Sequence, residues 1–286
     1  MDKIKLLKDE YQKINIDKKF KERTICMIKN KNRKKLVLKL CSSIAASIVI
    51  LGTAAVNLSP TLAYAAKDIP VLKDIVRVVT LGRYEANENG YSAEIASPKI
   101  EGLLDKELEN RLNKEFKDNA DALISAYEND VKELKKEFGD ETIHMGVKSD
   151  YIIKTDNDNY LSLDVYILNV AGSSSTKHTF YTIDKKSGKL VTLKSLFKDN
   201  ADYITPISNY IRGEMKRINN EENGAFWIEK DEFNFDIFEK IKPNQNFYIN
   251  SDNKLVICFD KYDVAAGAQG SPEFVIPDSV IKDILR

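Results

Sequence analysis

The sequence of 286 residues has few of the side chains that usually carry catalysis or bind metals. It contains two histidines and three cysteines, and neither histidine stands at a metal-ligand spacing from another ligand residue. The serines at 173–175 lack the context of a nucleophile elbow, and no glycine pattern is typical of a phosphate-binding loop. We interpret His178, in a predicted strand, as a surface residue. The composition does not favour an enzyme, and we expect no catalytic residue, metal or cofactor.

The three cysteines are also placed where they cannot form a disulfide within the C-terminal part of the chain. Cys26 and Cys41 come early, and Cys258 is the only cysteine in the last 228 residues of the sequence. No cysteine follows the apolar stretch described next in the manner of a lipoprotein signal. We therefore expect Cys258 to be a free thiol in an apolar strand.

One uncharged apolar stretch, residues 40–58, interrupts this charge-rich chain. A helix of that length, at about 1.5 Å per residue, spans roughly 30 Å of hydrocarbon. The basic run at 29–35 precedes it directly, and such cations keep their side of an anchor in the cytoplasm. A buried helix of a soluble domain does not explain this cluster. We predict a single transmembrane helix over residues 36–58, with the N-terminus cytoplasmic and the C-terminus extracellular.

Charge is divided unevenly between the two sides of this predicted membrane anchor. Residues 1–39 contain 14 Lys or Arg and 5 Asp or Glu, a net charge of +9, while the whole chain is formally neutral. Residues 40–286 therefore carry −9. An acidic outer region steers basic partners toward it, although modest acidity also serves solubility alone.

The predicted cytoplasmic segment, residues 1–35, is too short to build a core of its own. Part of its apolar side chains fall at helical spacing, which favours docking on a partner protein or on the membrane over an unstructured leader. The candidate binding residues are Tyr11, Ile14, Ile16 and Phe20.

A protease site is predicted just beyond the anchor, in an extended segment at residues 59–67. Signal peptidases admit small side chains at alternate positions of an extended chain, because neighbouring side chains point to opposite faces. Ala63 and Ala65 meet this requirement, which places the cut before Ala66, and Pro60 ends the preceding helix. A chance run of alanines is the alternative. Small residues within the anchor also suit an intramembrane protease, which must unwind its substrate.

Residues 68–286 mix helix and strand patterns and predict an α+β domain of antiparallel strands packed with helices. We expect a helix from about 68 to 82, a long amphipathic helix over 103–138 and a helix over 201–218. The expected strands and hairpins lie between these helices and after them, and a closing helix covers 279–285. Residues 172–176 read as a flexible polar loop, and 263–272 as an exposed loop of small residues.

Three stretches together resemble the anti-sigma-V factor family of Gram-positive bacteria: residues 9–16, residues 63–80, and residues 259–270 closed by 274–277. The third stretch is the most specific, and the resemblance covers nearly the whole chain in order. It implies an anti-sigma factor that holds an extracytoplasmic-function (ECF) sigma factor in the cytoplasm, without direct contact to nucleic acid. It assigns the sigma-binding role to the candidate residues of the cytoplasmic segment.

The resemblance also implies that the outer domain binds lysozyme. Binding then exposes the chain to signal peptidase and afterwards to an intramembrane site-2 protease, and the released sigma factor induces lysozyme-resistance genes. By matching stretch, the lysozyme-binding residues are Ser173, Ser174, Ser175, Ala266, Gly267, Ala268, Gln269 and Gly270. Because the small-residue loop is expected to be exposed, we expect Gly267→Trp to block binding without unfolding the domain.

Two other interpretations stay open at this point. An anchored or secreted cell-wall-binding module with an ordinary export signal fits the outer domain, but it gives no role to the apolar residues of the cytoplasmic segment. An extracellular hydrolase is disfavoured by the missing catalytic pattern.

Overall fold

The computed structural model describes residues 76–139, 143–230 and 237–286, which form a mixed α+β fold. Within these ranges, no helix is long and apolar enough to cross a membrane. The predicted cytoplasmic segment, transmembrane helix and protease site all lie outside the described residues.

A six-stranded sheet, in the order β1 to β6, is the larger of two sheets. Its strands are β1 (Arg77–Glu88), β2 (Tyr91–Glu101), β3 (Met145–Asp156), β4 (Tyr160–Ala171), β5 (Ser173–Asp184) and β6 (Lys189–Val191). Adjacent strands are antiparallel, except that β2 and β3 are parallel. The prediction of antiparallel strands is wrong at this one pair, because a long helix between β2 and β3 carries the chain back before it re-enters the sheet.

That helix, α1 (Lys106–Phe138), confirms the long amphipathic helix predicted at this position. It begins where the Asp105 side chain accepts a hydrogen bond from the backbone N–H of Leu108 at 3.0 Å, and it ends at Gly139, whose φ is 57°. Its apolar face packs on one face of the large sheet in a core that contains Leu108, Leu112, Phe116, Leu161, Leu163, Tyr181 and Ile183.

The opposite face of the large sheet carries a small antiparallel sheet of β7 (Phe247–Ile249), β8 (Leu255–Cys258) and β9 (Glu273–Val275). Successive side chains of a strand point to opposite faces. Tyr248, Val256 and Cys258 accordingly pack with Phe180 of β5. Their neighbours along β7 and β8 form a second core with α2 (Ile204–Glu221). The order of layers is therefore α1, large sheet, small sheet and α2.

Two predicted helices differ from the structure. Val78 and Val79, placed in a helix over 68–82, lie in β1 and pair with Ile100 and Lys99 of β2. The predicted closing helix is shorter than expected, since α3 (Asp278–Ile281) covers only four residues. In the first case the spacing of the valines fits a helix face, but hydrogen bonding to the neighbouring strand determines the outcome.

Candidate functional site

Two segments far apart in the sequence meet at one end of the large sheet. They are the tip of the β4–β5 hairpin, residues 170–175, and the loop between β8 and β9, residues 260–271; together we call them the hairpin-loop surface. The predicted flexible loop at 172–176 is wrong, because only Gly172, with φ of 70°, turns the chain. Ser173, Ser174 and Ser175 belong to β5 and pair with the end of β4, which fixes their positions.

Direct contacts join the two segments. The hydroxyls of Tyr262 and Ser173 lie 3.2 Å apart, and Lys261 Nζ donates a hydrogen bond to Ser174 Oγ at 2.8 Å. The backbone N–H of Lys261 also donates to the carbonyl of Thr176 at 3.3 Å. The structure thus brings the two predicted groups of ligand-binding residues to one surface.

Lys261 and Tyr262 were not among the predicted site residues. Tyr262 is 43% exposed and adopts a φ of 72°. Lys261 Nζ lies over its ring, 5.1 Å from the ring centre. A left-handed conformation at a bulky residue is uncommon and occurs most often where neighbouring structure holds the chain. The one available sequence signal was an aromatic residue next to a basic one inside the most specific family-like stretch.

The middle of the loop is buried and divides the exposed part into two lobes. Val264 and Ala265 are 4% and 1% exposed and belong to the core around α2. The carbonyl of Val264 accepts a hydrogen bond from the backbone N–H of Trp227 at 2.9 Å. Residues 261–263 and 266–270 form the lobes, and the second contains a single 3-10 turn, Gly267–Gln269. Within it, Ala268 is exposed.

Gly267 is not a free surface position, which corrects the expectation about its substitution. A Cβ atom added there would come within 2.5 Å of the Tyr262 ring. Gly267→Trp would therefore displace Tyr262 and disturb the contact with Ser173, so a loss of binding would not show that the loop enters a ligand. Ala268 is the better position, because its side chain is exposed.

His178 of β5 is the second correction, because it is not a surface histidine. Its side chain is 16% exposed, and Nδ1 lies 3.0 Å from both carboxylate oxygens of Asp164, which is itself 2% exposed. Its Nε2 lies 3.0 Å from Ser271 Oγ, and its backbone N–H donates to Asp260 Oδ1 at 2.8 Å. No spacing in the sequence indicated this cluster, because His178 is 14 positions from Asp164 and 93 positions from Ser271.

Burial and neighbouring charges act against each other at this cluster. Burial disfavours the charged imidazole of His178, but the hydrogen bond to Asp164 and the charges of Asp164, Asp260 and Glu273 outweigh it and raise the pKa of His178. Burial is also the main cause that raises the pKa of Asp260, with help from the charge of Asp263 and against the hydrogen bond from the His178 backbone.

The other predicted site residues cannot be placed on this surface. The sigma-binding candidates Tyr11, Ile14, Ile16 and Phe20, and the cleavage-site candidates Ala63, Ala65 and Ala66, lie outside the described residues. Among the residues that the structure covers, no three His, Cys, Asp or Glu side chains are grouped so that they could hold a metal ion. Cys258 is a buried free thiol, as predicted, and burial raises its pKa well above the ordinary value.

Comparison with known proteins shows to which family the chain belongs. The anti-sigma-V factor RsiV of Bacillus subtilis (strain 168) is 36% identical over 287 aligned positions, which cover 100% of this chain and 98% of that protein. The chain belongs to the anti-sigma-V factor family. The resemblance found in the three sequence stretches is thereby confirmed.

Two family profiles match parts of this anti-sigma-V family member. One, described as a protein of unknown function (DUF3298), matches residues 194–279, and the other, described as deacetylase PdaC, matches residues 84–173. The first match covers α2 and the small sheet, and the second covers the end of β1 and all of β2, α1, β3 and β4. The hairpin-loop surface combines residues from both matched regions.

Two solved structures are similar to this chain, and the first shows the same fold. A crystal structure of a DUF3298 family member from Bacteroides fragilis superposes with a TM-score of 0.54 over 74% of this chain and 94% of that chain, at 14% identity. A DUF3298 family protein from Pseudomonas aeruginosa gives a TM-score of 0.48 over 76% of this chain and 97% of its own, at 13% identity. The first similarity concerns the fold alone.

Proposed function

We propose that this protein is a single-pass membrane anti-sigma factor that sequesters an ECF sigma factor and senses lysozyme outside the cell. Signal peptidase and then a site-2 intramembrane protease destroy it after lysozyme binds, which releases the sigma factor. The observation that supports this best is the 36% identity to an anti-sigma-V factor along the full length of both chains. A relationship restricted to the outer domain would favour the cell-wall-binding alternative instead.

The geometry of the hairpin-loop surface supports a protein ligand. Tyr262 and Val170 are 43% and 42% exposed there, beside a cation, Lys261, and hydroxyl groups. An exposed aromatic residue held in place by its neighbours is the kind of side chain that anchors protein interfaces. The second lobe is built of small residues, and small residues can enter a narrow cleft such as that of a glycosidase.

The regulated cut tests this proposal. In cells that carry a reporter for the sigma factor, lysozyme should produce a shorter membrane fragment and activate the reporter. Ala63→Trp or Ala65→Trp should block both events, because a large side chain does not fit the protease at either position. The variants should still bind lysozyme.

Tyr64→Trp is the matched control, since in a chain bound in extended form the side chain of residue 64 would face away from the pockets that accept residues 63 and 65. It should be cut as the wild type is. Lysozyme-induced cleavage that is unchanged in both alanine variants would place the cut elsewhere. A reporter that never responds to lysozyme would support the cell-wall-binding alternative.

A further inference from the structure

Both ends of the loop at 260–271 are attached to the same residue of the large sheet. At the start of the loop, Asp260 Oδ1 accepts a hydrogen bond from the backbone N–H of His178 at 2.8 Å. At its end, Ser271 Oγ lies 3.0 Å from His178 Nε2. The carbonyl of His178 accepts from Asn246 Nδ2 at 2.8 Å, which ties the same residue to the strand entering the small sheet.

The imidazole ring is itself held in one orientation. Asp164, on the neighbouring strand, lies 3.0 Å from Nδ1 through both carboxylate oxygens. Because a carboxylate only accepts hydrogen bonds, Nδ1 carries a proton and Nε2 is the atom that faces Ser271. The ring also stacks on Phe180, with centroids 5.9 Å apart and planes at 19°. A ring that is held by both Asp164 and Phe180 can in turn hold Ser271 in place.

We infer that His178 is a positioning residue of the hairpin-loop surface, which orders the loop at 260–271 before lysozyme arrives. The identity of the ligand rests on the proposed function, whereas the ordering of the loop does not. A loop that is ordered in the free protein loses less conformational freedom when it binds, so the attachment strengthens binding without touching the ligand.

Asp164, His178 and Ser271 are hydrogen-bonded in the order of a serine hydrolase triad. One observation nevertheless favours a positioning role over catalysis. The residue after Ser271 is Pro272, which has no backbone N–H to offer to a developing oxyanion. The carbonyl of Pro272 accepts instead from the N–H of Phe259 at 3.0 Å and closes the base of the loop. Ser271 is therefore placed to end a loop.

Protonation strengthens the attachment but does not create it, because the neutral Nε2 accepts a hydrogen bond from the Ser271 hydroxyl and the imidazolium donates a charge-assisted one. The titratable groups around the ring are Asp164 and Tyr166 of β4, Asp260 of the loop and Glu273 of β9. Tyr248 of β7 lies one ring further away, stacked on Phe180 and hydrogen-bonded to Glu273. Burial opposes the imidazolium, but the carboxylates raise the pKa of His178 above 6.5. The ion pair with Asp164 is thus complete below pH 6.5 and is lost as pH rises through the raised pKa.

Hydrogen exchange of the purified full chain in detergent tests the inference, with Ser271→Ala and His178→Gln as variants. Ser271→Ala removes only the hydroxyl at the loop end, and His178→Gln keeps a polar side chain that does not titrate. In Ser271→Ala, protection of the amides of residues 261–270 should fall roughly tenfold, while α1 stays protected. Lysozyme affinity should fall by about the same factor. Ser125→Ala, which removes an exposed hydroxyl from α1, is the control and should change neither.

A pH series completes the test. In the wild type, loop protection, corrected for the intrinsic exchange rate, should be higher at about pH 6 than at about pH 8.5. His178→Gln should remove that difference. Wild-type loop protection in both variants would overturn the inference. Loss of loop protection in a protein that binds no lysozyme would leave His178 as the positioning residue and refute the proposed function instead.

Discussion

Asp130 of α1 is a buried carboxyl group with one oxygen that makes no hydrogen bond to the described residues. It is 6% exposed, and its Oδ2 has no hydrogen-bond partner within the described ranges. Burial, assisted by the charge of Glu133, raises its pKa to about 6. Because the folded state then binds a proton more tightly than the unfolded state, this group makes stability rise as pH falls from about 7 toward 4.

Asp130→Asn should stabilise the protein by roughly 1–3 kcal/mol at pH 7, because it removes a buried charge without changing the size of the side chain. The gain should largely disappear near pH 3.5, where Asp130 is protonated in the folded state and mostly protonated in the unfolded state. Urea unfolding of the two proteins at both pH values measures this. Asp121→Asn, at an exposed site on the same helix, should change stability by less than about 1 kcal/mol. No stabilisation at pH 7 would contradict this account of Asp130.

Ala268 is the residue at which ligand entry can be tested without disturbing the loop. Ala268→Trp adds a bulky side chain at an exposed position of the 3-10 turn and should weaken lysozyme binding at least about tenfold if this lobe enters the ligand. The melting temperature should stay within about 2 °C of the wild type. Ser125→Trp, on exposed α1 surface, is the control and should bind normally. Wild-type affinity in Ala268→Trp would remove the second lobe from the binding surface.

At the scale of elements, a helix or strand could be predicted when the sequence pattern that determines it lies within one stretch of the chain. The helix α1 was predicted closely, since its apolar period and its terminal Gly139 lie within one stretch. The β1 strand was mistaken for a helix, because Val78 and Val79 fit either period and only pairing with β2 decides between them. The parallel pairing of β2 with β3 depends on a helix crossing that no local pattern reveals.

The candidate surface was likewise predicted only in part from the sequence. Its two loops were predicted through the family resemblance, but their direct contact through Lys261 and Tyr262 was not. The His178 cluster was misread as well, because Asp164 and Ser271 come from a neighbouring strand and a distant loop. A hydrogen-bonded cluster that is assembled from three separate elements has no characteristic spacing in the sequence.

The predicted cytoplasmic segment is the element whose proposed role can be tested alone. Tyr11→Ala combined with Ile14→Ala should release sigma activity without lysozyme, because each buried side chain of this size contributes roughly 1.5–3 kcal/mol to an interface. Sigma-dependent reporter activity at matched protein levels measures this. Gln12→Ala with Lys13→Ala changes polar neighbours in the same segment and should keep repression. Full repression in the first double variant would show that this apolar face does not hold the sigma factor.

At the scale of the whole molecule, the division of charge is what the proposed sensor with two different partners requires. The −9 carried by residues 40–286 would attract a basic protein from a distance, and under the proposed function the hairpin-loop surface would supply the specific contacts. The surface also joins the two layers of sheet through His178, Lys261 and Tyr262. A ligand seated there would contact both matched regions of the chain at once.

Binding of a basic lysozyme by the purified full chain in detergent tests the central claim most directly. We predict saturable binding whose association rate is higher at about 0.01 M salt than at about 0.15 M, because the screening length falls from roughly 30 Å to 8 Å. Lysozyme whose lysines have been acetylated should associate more slowly and lose most of the salt dependence. Absence of binding at both salt concentrations, by a chain that still represses its sigma factor, would contradict the assignment as a lysozyme sensor.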